Sequence, residues 1–202
     1  MFNILKPRSL LKYQLYQLRN KITISKLDAA ESAAVKRPTP ILLLRTVLTN
    51  QEEKSSNEWA TNIQNEFSKL GYFTVDASIT LPPKKDELLL QTCYQELSKA
   101  TSDLSFFPPL LVSHGEVAAR ISQKFVSNKP VSGLVMIDQP SEESVELCQS
   151  EFPVSEFEPR FPICMISNKQ APEFLDGWID TVELERGNEF KQLTEWMDDI
   201  GM

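Results

Sequence analysis

Short apolar runs bounded by proline, glycine or polar residues alternate along this chain with longer stretches whose apolar residues recur at helical spacing. The runs are Ile41–Leu44, Tyr72–Val75, Leu110–Val112, Gly133–Ile137, Ile163–Ile166 and Thr181–Leu184. Uninterrupted runs of about three to five residues suit strands buried on both faces of a sheet. Between the first two, Ser55-Ser56-Asn57-Glu58 reads as a capping box, Trp59, Ile63, Phe67 and Leu70 make one apolar face, and Gly71 stops the helix. Further helices are predicted over Lys85–Ala100, Glu116–Val126, Glu142–Ser150, Pro172–Trp178 and Asn188–Ile200. Repeated strand–helix alternation predicts an α/β fold with a mostly parallel, doubly wound sheet of about six strands and helices on both faces. The stretch Gln139–Arg160, rich in Glu, Ser and Pro, is where a lid or loop is expected to rise above the sheet.

Charge changes the picture at one end. The chain carries a net charge of −7, yet residues 1–27 hold Lys6, Arg8, Lys12, Arg19, Lys21 and Lys26 and no acid. The acidic remainder repels phosphate backbones, which disfavours a nucleic-acid partner. Within the basic arm, Leu5, Leu11, Leu15 and Leu18 fall at roughly helical spacing, the pattern of a mitochondrial presequence. Residues 1–35 are therefore expected to be presequence and linker, cleaved between about Ile24 and Arg37, with a single domain over 36–202 and fewer strands than larger relatives. The matrix is the expected compartment; a cytoplasmic protein, or peripheral membrane contact through residues 1–27, is the alternative reading of the same arm. No apolar run is long enough for a membrane-spanning helix.

Candidate chemistry is sparse. Cys93, Cys148 and Cys164 lack CxxC spacing and fall within apolar or amphipathic patterns, so they read as buried thiols. With one histidine, and with Asp103, Asp176, Asp198 and Asp199 set apart from His or Cys, no metal is implied; no GxGxxG or GxxxxGK loop implies a nucleotide cofactor. Trp59, Trp178 and Trp196 fall in or beside predicted helices, where they are expected to complete the core.

In sheets of this kind ligands bind beyond the carboxyl ends of the strands. The residues there are Arg45-Thr46, Asp76, Ser113-His114-Gly115, Asp138-Gln139 and Ser167-Asn168-Lys169. The stretch Pro109–Arg120, with Ser113-His114-Gly115 at its centre, resembles the nucleophile elbow of the α/β-hydrolase superfamily, where a strand ends in Gly-His-Ser-x-Gly-Gly and a helix begins. The resemblance spans about residues 38–202, with Pro40–Leu44, Lys69–Asp76, Gly133–Asp138 and Phe161–Ile166 in the order of that fold's strands. It implies a trimmed α/β-hydrolase-like architecture.

The chemistry that this family performs requires a nucleophile on a strained turn, a histidine, an acid and two backbone donors. In this chain the nucleophile slot is Gly115, the acid slot falls in Ser167-Asn168-Lys169-Gln170, and the histidine slot, Leu184–Phe190, contains Glu189 but no histidine. Arg45-Thr46 replaces the oxyanion-loop His-Gly pair. No residue is thus assigned as catalytic; Ser113 with His114 is the alternative set, in a register that would make Ser113 the nucleophile. Asp138 and Asp76 could pair with Arg45, as an anion pocket or a solvated ion pair. Arg45, Thr46, His114, Gly115, Glu116 and Asp138 define a residual pocket. These features imply a non-catalytic mitochondrial protein with a protein partner, acting in binding, scaffolding or assembly; a small serine-type esterase, thioesterase or acyltransferase with a nonstandard set is the alternative.

Overall fold

A computed structural model of the chain describes residues 21–47, 50–81, 88–102, 107–138 and 142–202. Its elements, in order, are strands and helices β1 (Lys21–Leu27), β2 (Ile41–Val47), α1 (Asn50–Lys69), β3 (Thr74–Thr80), α2 (Leu89–Thr101), β4 (Leu110–His114), α3 (Glu116–Val126), β5 (Gly133–Ile137), α4 (Glu142–Ser150), β6 (Ile163–Ile166), β7 (Asp180–Val182) and α5 (Glu189–Asp199). They build one seven-stranded sheet in the order β1-β3-β2-β4-β5-β6-β7. All neighbours are parallel except β1, which runs antiparallel along β3 from Lys21 opposite Thr80 to Leu27 opposite Thr74.

Both faces of the sheet are buried, which explains why the central strands read as continuous apolar runs. Leu42, Leu44, Leu111, Leu134 and Met136 face a core closed by α2 and α3. Their neighbours Leu43, Leu110, Val112, Val135 and Ile137 face a second core with Phe67 of α1 and Leu193, Trp196 and Met197 of α5. Alternation along each strand therefore sends successive side chains to different cores.

Several boundaries differ from expectation. The first helix begins at Asn50, so the Ser55–Glu58 box lies inside it. Its opening turns are polar in sequence, and apolar periodicity cannot register a turn that holds no apolar residue. The end is as expected: Gly71, at φ +88°, lets its N–H bond Ser68 O while Tyr72 N–H bonds Phe67 O, the pairing that closes a helix through a left-handed residue. A Cβ on Gly71 would collide with the Val35 carbonyl oxygen, so this glycine also seats the segment that leads into β2.

The strand expected from Tyr72, β3, begins at Thr74 and continues through the polar residues Asp76, Ser78 and Thr80. Pro172–Trp178 is not a helix but a single 3-10 turn at Glu173–Leu175, closed at Gly177 with φ +74°. Trp178 consequently lies outside the core, 68% exposed, whereas Trp196 is buried as expected. The strand expected over Thr181–Leu184 is three residues long and begins at Asp180. Part of the Lys85–Ala100 prediction, together with Asp103 and the start of Gln139–Arg160, lies outside the described residues. The rest of that last stretch lies down on the fold: Phe152 is fully buried, and Phe157 contacts Phe161 and Phe174 with ring centroids 5.9 and 5.7 Å apart.

The strand least visible in the sequence is β1. It lies within the basic arm, and its neighbours continue to hold it: Ser68 Oγ donates to Asp28 O, and Ala30 N–H bonds Ser68 O. An antiparallel edge strand with lysines at positions 21 and 26 lacks the apolar run that marks an interior strand, and edge lysines discourage pairing with foreign chains.

Candidate functional site

Chain order reverses between β2 and β4, since β3 lies on one side of β2 and β4 on the other. A doubly wound sheet opens a ligand crevice above such a switch point. Here the two strand ends bring Arg45 opposite His114, and the crevice is filled by side chains. Arg45 Nε and Nη2 donate to the two Asp76 carboxylate oxygens at 2.9 and 2.8 Å, and Nη1 donates to Ser56 Oγ of α1 at 3.1 Å. Arg45 and Asp76 are each 5% exposed, so the solvated ion pair expected from sequence is a buried, bidentate one. Thr46, half-buried, follows in β2.

His114 lies beside this pair, with Trp59 stacked on its ring at 3.9 Å between centroids. Burial first, and the Arg45 charge second, lower its pKa to about 4, so the imidazole is neutral at pH 7. Its Nε2 has no hydrogen-bond partner. Ser113 leaves β4 on the opposite side of the sheet, fully buried, where its hydroxyl donates to Val135 O at 3.2 Å. Alternation thus separates the hydroxyl and imidazole that a catalytic dyad would have to bring together.

Gly115 makes the turn from β4 into α3. Its φ of +95° and ψ of 159° fall in a region that residues with a Cβ scarcely visit. Its N–H donates to Ile137 O at 2.9 Å, and a Cβ there would meet nothing within 4 Å. The place at which the elbow presents its nucleophile is therefore open space beside a residue with no side chain.

Residues in the acid and histidine slots make structural bonds. Ser167 Oγ donates to Asp138 Oδ2 at 3.0 Å, Asn168 Oδ1 accepts the Leu184 N–H at 3.1 Å, and Gln192 Oε1 accepts the Glu185 N–H at 3.1 Å. Asp138 does not join Arg45; Lys169 Nζ lies 3.5 Å from Asp138 Oδ2 and 3.2 Å from Glu116 Oε2. Burial opposes the lysine charge, but Asp138 and Glu116 outweigh it and hold the Lys169 pKa above its ordinary value.

Around these charges lies a cleft of about 130 Å³, between α3, the ends of β5 and β6 and the loop after Lys169. Gly115, Glu116 and Asp138 of the expected pocket line it, whereas Arg45, Thr46 and His114 do not. Lys169, expected beyond a strand end, lines it too; Gln123, Arg120 and Met136 also line it and were not anticipated. Their one sequence signal is that Glu116, Ala119, Arg120 and Gln123 fall at helical spacing, a face that mixes charge with a small residue where the core-facing side is apolar.

The thiols are inert in this setting. Burial, their largest influence, raises Cys93 and Cys164 to about 12 and Cys148 to about 11. Asp176, Asp198 and Asp199 are exposed, and among the described residues no group of three potential ligands gathers to hold a metal. No helix of the described residues is long and apolar enough to cross a membrane.

Comparison with solved structures places this geometry. An α/β serine hydrolase homologue from Coxiella burnetii superposes with a TM-score of 0.54 at 13% identity, covering 91% of this chain and 93% of its own. The chain has an α/β-hydrolase fold. Mouse α/β-hydrolase domain-containing protein 10 is likewise similar, with a TM-score of 0.52 at 11% identity over 90% of this chain and 94% of its own. No protein-family model and no curated protein matches the sequence. Among the described residues this trimmed α/β-hydrolase-like fold has seven strands, with Gly115 at the turn from β4 into α3.

Proposed function

We propose that this protein is a non-catalytic member of the α/β-hydrolase fold, acting by binding rather than by acyl transfer. The observation that carries the reading is Gly115 at the strand-to-helix turn, in a backbone conformation suited to glycine alone. Two further facts support it. The only histidine in the chain is a weakened base, its pKa lowered to about 4 by burial and the Arg45 charge, and it is covered by Trp59, while Ser113 is sealed in the opposite core. Among the described residues, neither the Ser113 hydroxyl nor the His114 imidazole stands at the Gly115 turn.

A fluorophosphonate probe and p-nitrophenyl butyrate, each run beside an active serine hydrolase, test this directly. The expected result is neither labelling nor turnover. Gly115→Ser is expected to remain inactive, because the one histidine is stacked under Trp59 beside Arg45, and to lose about 1–3 kcal/mol of stability through the strained φ. Labelling of the natural chain that Ser113→Ala abolishes would overturn the reading.

The basic, acid-free stretch 1–27 supports mitochondrial import, and a protein partner there is part of the same proposal. The pairing of β1 with β3 bears on the cut: cleavage between Ile24 and Arg37 would remove a strand or its connection, whereas cleavage before Lys21 keeps the sheet whole. The mature N-terminus of the native protein, read by mass spectrometry from isolated mitochondria together with co-purifying chains, is the measurement that decides.

A further inference from the structure

We propose that a cavity at the amino end of the sheet binds an arylalkanoic acid, an aromatic ring on a short chain that ends in a carboxylate. The cavity lies between the last turns of α2 and α3, over the first residues of β2 and β3 and the prolines that lead into β4. Gly115 and the filled crevice stand at the opposite, carboxyl ends of the strands, where ligands of such sheets bind. The proposal therefore goes beyond the non-catalytic reading and does not depend on it.

Size and lining select the ring. The volume is about 190 Å³, above the ~150 Å³ of an apolar cavity that takes up benzene. Pro40, Pro108, Pro109 and Pro130 form walls together with Phe107 and Phe125. Proline has no N–H, and the Pro40 and Pro109 carbonyls accept the N–H groups of Leu110 and Ser132 at 2.9 Å, so these walls bring no unpaired backbone donor to the space. Pyrrolidine rings are rigid, and a flat guest loses less freedom against them than a flexible chain does. Phe125 is buried, whereas Phe107 is 55% exposed and offers a bound ring an aromatic face at the mouth.

Charge selects the acid. Lys129 is the one charged residue among those that line the cavity, and it is exposed. A lysine just past a helix end can serve the last carbonyls, but those of α3 are already served. Ser127 Oγ donates to Gln123 O, Asn128 Nδ2 to Lys124 O, and the backbone N–H groups of Asn128 and Lys129 to Phe125 O. Lys129 makes no ion pair among the described residues. At α2 the pull on a competing cation is damped, because Thr101 Oγ1 donates to Leu97 O at 2.8 Å and Ser102 Oγ to Lys99 O at 2.9 Å. Those are carbonyls through which a helix end draws positive charge. In a chain of net charge −7, a described lining that holds a cation and no acid suits an anion. With its ring between the prolines, the acid presents its carboxylate to the lysine at the mouth.

Ligand-observed NMR titration of the full chain near neutral pH tests this with 3-phenylpropionate, 3-phenylpropan-1-ol, 3-phenylpropylamine and hexanoate. Saturable binding of 3-phenylpropionate in the millimolar range is expected, with the alcohol about threefold weaker, hexanoate about fivefold weaker and the amine unbound. Ser98→Phe, on the half-buried side of α2 that lines the cavity, fills the space and is expected to weaken the acid about tenfold or more. Lys129→Glu is expected to weaken the acid about tenfold and to make the amine the better ligand of the two. Thermal melts establish that each variant is folded, and Lys129→Glu on the exposed rim keeps the test open if Ser98→Phe is not. Amine or hexanoate binding as tight as 3-phenylpropionate, an acid affinity that Ser98→Phe leaves unchanged, or no saturable binding of the acid overturns the proposal. Those results leave the non-catalytic reading standing, because that reading fails only through phosphonate labelling or turnover.

Discussion

Two neighbouring places at the carboxyl end of one sheet use charge in opposite ways. Above β2 and β4, Arg45 and Asp76 meet in a bidentate pair sealed from water, and Trp59 closes over His114 beside them. Above β5 and β6, Glu116, Asp138 and Lys169 form a pair network around an opening, with the cation half in solvent. The first arrangement fills the crevice that the topology creates; the second leaves one where the topology did not require it. A buried pair is costly to break and specifies how elements sit, whereas a rim pair contributes little to folding and remains exchangeable.

The largest effect should come from breaking the sealed pair. Arg45→Ala leaves the Asp76 carboxylate buried and uncompensated, an expected loss of about 3–5 kcal/mol in urea unfolding. Replacing both partners, Arg45→Met with Asp76→Leu, should recover most of that loss, since the pair's own desolvation cost disappears with it. A single variant that unfolds at the natural midpoint would mean that water reaches the pair, and the contrast between the two places would fail.

His114 provides the next largest effect, through pH. Folded, its pKa is about 4, lowered first by burial and then by Arg45, while the unfolded chain takes up its proton at the ordinary 6.5. The unfolded state therefore binds the proton first as pH falls. The stabilisation is complete above about 6.5, declines as pH drops toward 4, and is exhausted below, a span worth about 3 kcal/mol. His114→Phe keeps a ring against Trp59 but cannot titrate. Urea midpoints across that window should fall less steeply for the variant than for the natural chain, and parallel slopes would refute a buried neutral imidazole.

The division between sealed and open was only half legible in the sequence. Ile41, Leu110, Gly133 and Ile163 each open an apolar run, and each opens a strand, because strands buried on both faces announce themselves by continuity. Gly115 was legible as the residue at the turn. β1 and the later part of β3 were not, since an edge strand and a strand end that carries polar partners lack that continuity. Asp76 illustrates the limit: it reads as the residue just after a strand, yet it lies inside β3, and its partner stands 31 positions earlier in the chain. Lys169 was legible as a residue beyond a strand end, but Gln123 was not, for a related reason. One lies in a loop and the other on a helix face, and only the packing of α3 beside β5 and β6 sets them around a common opening.

The smallest effect tests the other half of the contrast. Lys169→Ala removes the cation that spans Glu116 and Asp138, but its side chain is 44% exposed, so solvent screens most of what the pair contributes. Arg120 still faces Glu116, and Ser167 Oγ still holds Asp138. The expected change in urea unfolding is within about 0.5 kcal/mol, several times smaller than for Arg45→Ala. A loss comparable to that of Arg45→Ala would make Lys169 part of the framework and the cleft a packing feature. A negligible loss leaves two carboxylates whose placement does not depend on the lysine that bridges them.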